Sequence, residues 1–235
     1  EQLRNLSGRR PGHQAEQELE LVGVERPLGE AAVGDGHHHD EPGRSRRAHR
    51  PPDHAAEVSA PMTDAELAAS LAEVAGRLLL EVRDCGLIGG KALGKAGDQT
   101  ANQFLIHAIR DQRPDDGLLS EEEKDNLDRL ASSRVWIVDP VDGTREYGEC
   151  RTDWAVHVAL AIDGNASVGA VALPGLGVVL RSDQPLPLPP AAAIPRMLIS
   201  RTRPAKEALA VAEAIGAELV PMGSAGAKAM AVVRG

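Results

Sequence analysis

The chain has 235 residues, 42% of them hydrophobic, and a formal net charge of −9. That is enough for one or two domains with a core, while the acidic balance gives no global reason to expect nucleic-acid or bilayer binding. No apolar run approaches the roughly 18 residues of a membrane span and no secretory h-region opens the chain, so a soluble, cytoplasmic protein is expected.

Residues 1–61 are rich in Arg, Gly, Pro, His and Glu, contain no aromatic residue and show little apolar periodicity. They read as a disordered extension. Within them "GDGHHHDE" (34–41) reads as a solvated polar loop rather than a metal site, and "RSRRAHR" (44–50) lacks the neighbouring aromatics of a nucleic-acid surface. Met62 is the first methionine and a helix signal follows it directly, so Met62 is expected to be the natural start, preceded by a translated upstream extension. An N-terminal α+β part (62–160) is expected to carry the functional acids, and residues 161–235 to begin a C-terminal α/β part.

From Thr63 the patterns sharpen. Thr63 and Glu66 form a capping-box signature. Leu67, Leu71, Val74, Ala75, Leu78, Leu79 and Val82 then recur at helical spacing, predicting an amphipathic helix to about Arg83. A Gly-rich turn (86–97) leads to a second helix with Ala101, Phe104, Leu105, Ala108 and Ile109 on one face, ended by "RPDDG". In "LLSEEEKD", Ser120 and Glu123 alone would satisfy a further capping box. "RVWIV" (134–138) is a short buried strand. Trp154, Val156, Val158 and Leu160 alternate, and "DGN" and "PGLG" supply turns, so a strand meander follows. "RMLIS" is a strand, "RPAKEALAVAEAIGA" a helix, "ELVPM" extended, and "SAGAKAMAVVR" a last helix. The class is mixed α/β. The aromatic residues are Phe104, Trp136, Tyr147 and Trp154, so packing is expected to rest on Ala, Val, Leu and Ile. Cys85 and Cys150 lack CxxC or zinc spacing and read as free thiols.

The chemistry concentrates in "WIVDPVDGTREYGE" (136–149). Pro140 fixes φ and Gly143 permits a tight turn. Asp139 and Asp142 can then converge, with the Val141 carbonyl between them. Two carboxylates and a carbonyl suit a hard divalent cation such as Mg²⁺; alone, "DPVDGT" also reads as an Asx-rich turn ending a strand. "GTREY" can open a helix whose free N–H groups meet an anion. "GSAGAKAM", a turn containing Ser224 that leads into a helix carrying Lys228, is a second phosphate cradle. The combination points to metal-assisted phosphate chemistry.

"SEE" followed by "WIVDPVDGT" resembles the inositol monophosphatase superfamily of Mg²⁺-dependent phosphatases, over residues 63–235. The resemblance implies a layered α-β-α-β(-α) sugar-phosphatase-like fold, with the C-terminal part incomplete. It implies Glu121, Asp139, Asp142 and the Val141 carbonyl as metal ligands and Thr144 with Asp142 as catalytic residues, Thr144 positioning the nucleophilic water. Gly143 and Thr144 amides would hold the scissile phosphate, with Glu122 in support. "DGTREY" is similar to the CysQ-type 3'(2'),5'-bisphosphate nucleotidases, whose implied substrate is 3'-phosphoadenosine 5'-phosphate, cleaved to AMP and phosphate. Arg145, Arg201 and Lys228 would then meet the second phosphate, and Ser224 would line the substrate site. An inositol-phosphate or fructose-bisphosphate phosphatase, or a non-catalytic remnant binding metal or nucleotide, are the alternatives, and a homodimer is left open.

Two departures are visible. "DQTAN" places Gln99 and Asn102 where relatives carry a Thr-x-x-Asp segment, leaving Asp98 to compensate. A later Trp-Asp element, whose Asp ligates metal in the family, has no counterpart before Gly235, so weak or absent turnover is expected of this exact chain.

Overall fold

The computed structural model describes residues 62–235 apart from 126 and 188, so every expectation for residues 1–61 lies outside the described residues. Helix α1 (Asp64–Asp84) starts as its sequence predicts: Thr63 accepts from the Glu66 amide, and Glu66 reaches back to the Thr63 amide at 2.9 Å. Its buried stripe is wider than the predicted one. Ala68 and Ala72 are wholly buried beside Leu67, Leu71, Ala75 and Leu79, because α1 lies between a second helix and a sheet. Val74 and Leu78 fall at the edge of that stripe, half-buried.

Helix α2 (Gly90–Gln112) begins inside the segment predicted to be a turn. Glycine in a helix costs about 1 kcal/mol against alanine, but here it permits contact. A Cβ on Gly94 would stand 2.8 Å from the Thr144 methyl, and one on Gly97 would stand 2.4 Å from the Tyr147 ring. The glycines are helical because α2 packs closely on the segment that follows "DPVDGT".

Strand β1 (Gly117–Ser120) follows, so the Ser120–Glu123 capping box does not start a helix. Instead Ser120 is buried and donates to Asn102 Oδ1 at 2.6 Å. Strand β2 (Arg134–Asp142) runs on through "DPVD", past the predicted end. A five-residue helix α3 (Thr144–Gly148) follows, then β3 (Ala155–Ile162), β4 (Asn165–Leu173) and β5 (Val178–Arg181) complete the larger sheet. The sheet order is β1-β2-β3-β4-β5, parallel between β1 and β2 and antiparallel elsewhere. Then come β6 (Arg196–Ser200), α4 (Lys206–Ile215), β7 (Glu218–Met222) and α5 (Ala225–Arg234), with β6 and β7 paired in parallel.

The core lies between α1, α2 and the large sheet. Aliphatic side chains dominate it, yet Trp136, Tyr147 and Trp154 are fully buried as well. Each has its polar atom satisfied: Trp136 Nε1 donates to Asp116 at 2.8 Å, Tyr147 OH to the Leu79 carbonyl at 2.8 Å, and Trp154 Nε1 to the Arg151 carbonyl at 3.0 Å. Tyr147 meets Trp154 edge to face at 5.0 Å. No helix among the described residues is long and apolar enough to cross a membrane.

Candidate active site

In a regular strand, residues three apart point to opposite faces. Asp139 and Asp142 do not, because β2 carries a bulge. Asp139 pairs with His157 and Asp142 with Ala155, so β2 spends one residue more than β3 over this interval. The bulge brings the two carboxylates together with His157, with one ligand atom of each within 4.8 Å of the others. Gly143 then turns the chain at φ +96°, a left-handed conformation that favours glycine. Its Cβ would also stand 2.9 Å from that of Ser224.

Glu121 arrives from the neighbouring strand. The parallel register pairs Ser120 with Val138, and the Glu121 amide donates to the Val138 carbonyl at 3.2 Å. The next residues in step are Glu121 and Asp139, whose side chains interact directly. Burial, Glu121 and Asp142 together push the Asp139 carboxyl well above its usual range. Its Oδ1 is buried with no hydrogen-bond partner.

Asp98 is among the buried residues of α2. It is 8% exposed and interacts with the Thr144 side chain. Burial and the charges of Glu122 and Glu121 push it up to about 7, against a weaker opposing effect of Thr144. The Thr144 hydroxyl also lies 3.1 Å from the Val141 carbonyl. Of the residues in "DQTAN", Asp98 is thus the one that meets Thr144; Gln99 is exposed and Asn102 is committed to Ser120.

Asp142 is the opposite case. Burial disfavours its charge, but His157, the Gly226 amide and Ser224 outweigh burial and bring it to about 2. Its Oδ1 accepts from the Ala225 amide at 3.2 Å, and its Oδ2 from the Gly226 amide and from His157 Nε2 at 3.1 Å. Ser224 caps α5, accepting from the Ala227 amide at 2.9 Å.

The predicted set thus divides. Glu121, Asp139, Val141, Asp142, Gly143, Thr144 and Ser224 are brought together. Arg145 is exposed at the start of α3. Arg201 is engaged by Glu146 at 2.7 Å and Glu149 at 2.8 Å, and Lys228 Nζ by the Gly223 and Ser224 carbonyls. His157 was missed by the sequence reading; its only signal was a lone imidazole on the non-core phase of the β3 alternation.

The donor chemistry suits a hard divalent cation: carboxylates, a backbone carbonyl and a buried acceptor lacking a donor. An unsatisfied buried acceptor costs about 1–3 kcal/mol, more when charged, and like charges held close need a proton or a cation.

The sequence profile of the inositol monophosphatase family matches residues 65–185. The chain belongs to that family. The 3'-phosphoadenosine 5'-phosphate phosphatase of Mycobacterium leprae (strain TN) is 46% identical over 194 residues, covering 76% of this chain and 72% of the relative. The enzyme of the same description from Mycobacterium bovis (strain ATCC BAA-935 / AF2122/97) is 45% identical over 172 residues, covering 68% of this chain and 64% of its own length. The crystal structure of inositol monophosphatase II from Staphylococcus aureus MSSA476 superposes with a TM-score of 0.57 at 21% identity, covering 71% of this chain and 69% of that one. That likeness establishes the fold: the layered family architecture is present over the described residues.

Proposed function

We propose that this family member is a Mg²⁺-dependent phosphatase that removes the 3'-phosphate of 3'-phosphoadenosine 5'-phosphate, leaving AMP and phosphate. One observation carries the reading: Glu121 and Asp142 both act on Asp139, whose Oδ1 is buried without a donor, and an Asp98–Thr144 pair completes the acidic group. The likeness to the mycobacterial phosphatases supports the choice of substrate.

Glu121, Asp139, Asp142 and the Val141 carbonyl would hold the cation. When bound, it neutralises the carboxylates, polarises the phosphoryl oxygens and acidifies water. The chain's own groups do the rest. Asp98, held at about 7, is matched to neutral pH as a proton acceptor. Thr144 Oγ1 stands between Asp98 and the Val141 carbonyl and relays the proton of the attacking water to the Asp98 carboxylate. The Gly143 and Thr144 amides hold the scissile phosphate, and exposed Arg145 meets the second phosphate with a bidentate guanidinium. A phosphorylated small molecule is therefore the partner, and the exposed free thiols Cys85 and Cys150 accord with a reducing, cytoplasmic setting.

The test is colorimetric phosphate release from 3'-phosphoadenosine 5'-phosphate, inositol 1-phosphate and fructose 1,6-bisphosphate, with Mg²⁺ and with chelator. Because the readout is a ratio between substrates, a slow rate still discriminates. Preference for the nucleotide, abolished by chelator, is expected. Equal or faster release from either sugar phosphate would overturn the substrate, and release unaffected by chelator would overturn the metal.

A further inference from the structure

Asp142 receives donors from two directions, and one of them is not part of the motif that contains it. His157 lies on β3 directly across from Asp139, and its Nε2 is 3.1 Å from Asp142 Oδ2. Gly226, at the first turn of α5, closes on the same ring: a Cβ there would stand 2.1 Å from His157 Nε2 and 2.7 Å from Asp142 Oδ2. The imidazole therefore lies between Asp142 and the start of α5, in contact with the Gly226 backbone.

The position of the proton follows from the donors already present. Asp142 accepts from the Ala225 and Gly226 amides, so it is a carboxylate with acceptors only. In the contact with His157, Nε2 must be the donor. A nitrogen that carries its proton toward a carboxylate has no lone pair for a cation. His157 is thus a poor ligand through Nε2, although it sits among the acids.

We propose that His157 is a positioning residue for the cation: its Nε2–H and the Gly226 amide fill Oδ2 of Asp142, while Oδ1 accepts only the Ala225 amide and keeps a lone pair that a divalent ion could use. The Ser224 hydroxyl also reaches Asp142, but a hydroxyl rotates away when another partner arrives, whereas a ring N–H and a helix amide stay. Fixing one oxygen holds the whole carboxylate in a single orientation, in the same cluster as Asp139, whose Oδ1 is unpartnered. Such hydrogen bonds to ligating groups are worth about 10–100-fold in metal affinity. The inference rests on the proposed cation site and assigns a role within it that none of the motif residues supplies.

The test uses the full chain and Mn²⁺, a paramagnetic divalent probe. Free Mn²⁺ is titrated by electron paramagnetic resonance against the wild type, His157→Gln, which keeps an N–H donor, and His157→Leu, which does not. Pulsed measurements on the wild type look for nitrogen bonded to the metal. His157→Leu should bind about 10–100-fold more weakly, His157→Gln should restore most of the affinity, and the wild type should show no directly bonded nitrogen. Unchanged affinity in His157→Leu, equal loss in both variants, or a bonded nitrogen in the wild type would each overturn the proposal while leaving the cation site intact. If circular dichroism shows His157→Leu unfolded, His157→Gln and the wild-type spectrum decide. A wild type that binds no Mn²⁺ overturns the cation site itself, and this role with it.

Discussion

Asp139 shows what a single residue costs when function places it. Its neighbours are Glu121 and Asp142, and one of its oxygens has no donor. Two unit charges 4 Å apart repel by about 4 kcal/mol at an effective dielectric near 20. Folding tolerates this only because a proton or a cation relieves it. Asp139→Asn removes a charge without changing shape, so two opposite effects are expected. Chemical denaturation in chelator should show the variant more stable than wild type by about 1 kcal/mol, and calorimetry should show Mg²⁺ affinity reduced at least tenfold. A variant that is less stable and still binds Mg²⁺ normally would mean that the acids are ordinary structural groups. Asp142 differs because its charge is already satisfied by two amides and an imidazole.

At the level of elements, the contact of α2 with α3 decides where Asp98 and Thr144 stand. Gly94 and Gly97 bring the helices close, and Gly148 does the same from the other side: its Cβ would stand 2.4 Å from the Gly90 carbonyl. Gly97→Ala should gain about 1 kcal/mol of helix propensity. The new methyl, however, meets a Tyr147 ring that is wholly buried, bonded to the Leu79 carbonyl and packed on Trp154. Overpacking of this kind costs about 1–3 kcal/mol, so the net effect is expected to be destabilising, read as a lower urea midpoint. A midpoint at or above wild type would show that α2 does not need the close approach. Thr63→Ala is the contrasting case. The two hydrogen bonds of its hydroxyl, one donated to the Glu66 carboxylate and one accepted from the Glu66 amide, are local and exposed, so a loss of about 1 kcal/mol is expected with the site undisturbed.

Across the molecule, carboxylates of the first part anchor the last elements. Asp142 holds the start of α5, Asp153 accepts the Gly223 amide at 2.6 Å, and Glu146 with Glu149 hold Arg201. Farther from the acids, β6, β7 and α5 border an apolar cavity of about 830 Å³ lined by Leu198, Val220, Met222 and Val232. The charge pattern also sets the pH response. Asp98 rises from 3.8 to about 7 on folding, and Asp139 moves the same way. Between those pH values the folded protein holds protons that the unfolded chain has released, so stability without metal falls as pH rises through this window. Asp64 has the opposite sign: burial disfavours its charge, but Arg134 and Arg113 outweigh that and lower it. Its contribution is lost only below the normal carboxylate range. In chelator the urea midpoint should be higher at pH 5 than at pH 8. Saturating Mg²⁺ should raise the pH 8 value and shrink the difference, because cation binding displaces those protons. A pH-independent midpoint in chelator would mean that Asp98 and Asp139 ionise normally.

The sequence by itself determined what depends on neighbours along the chain. The Thr63–Glu66 cap, the apolar stripe of α1, the strand alternation from Trp154, and the "DPVDGT" turn with its acids are all set within a few residues, where spacing is information enough. Tertiary structure decided what depends on register and close approach. The bulge that puts Asp139 and Asp142 on one side exists only once β2 pairs with β3. His157 meets Asp142 across 15 residues, Arg201 meets Glu146 across 55, and the Gly226 amide meets Asp142 across 84. Helix α2 starts at Gly90 rather than after Gly97 because packing against Thr144 and Tyr147 outweighs the local preference of glycine for turns. Such contacts depend on where the folded backbone brings distant groups together, and no local pattern of residue types carries that position.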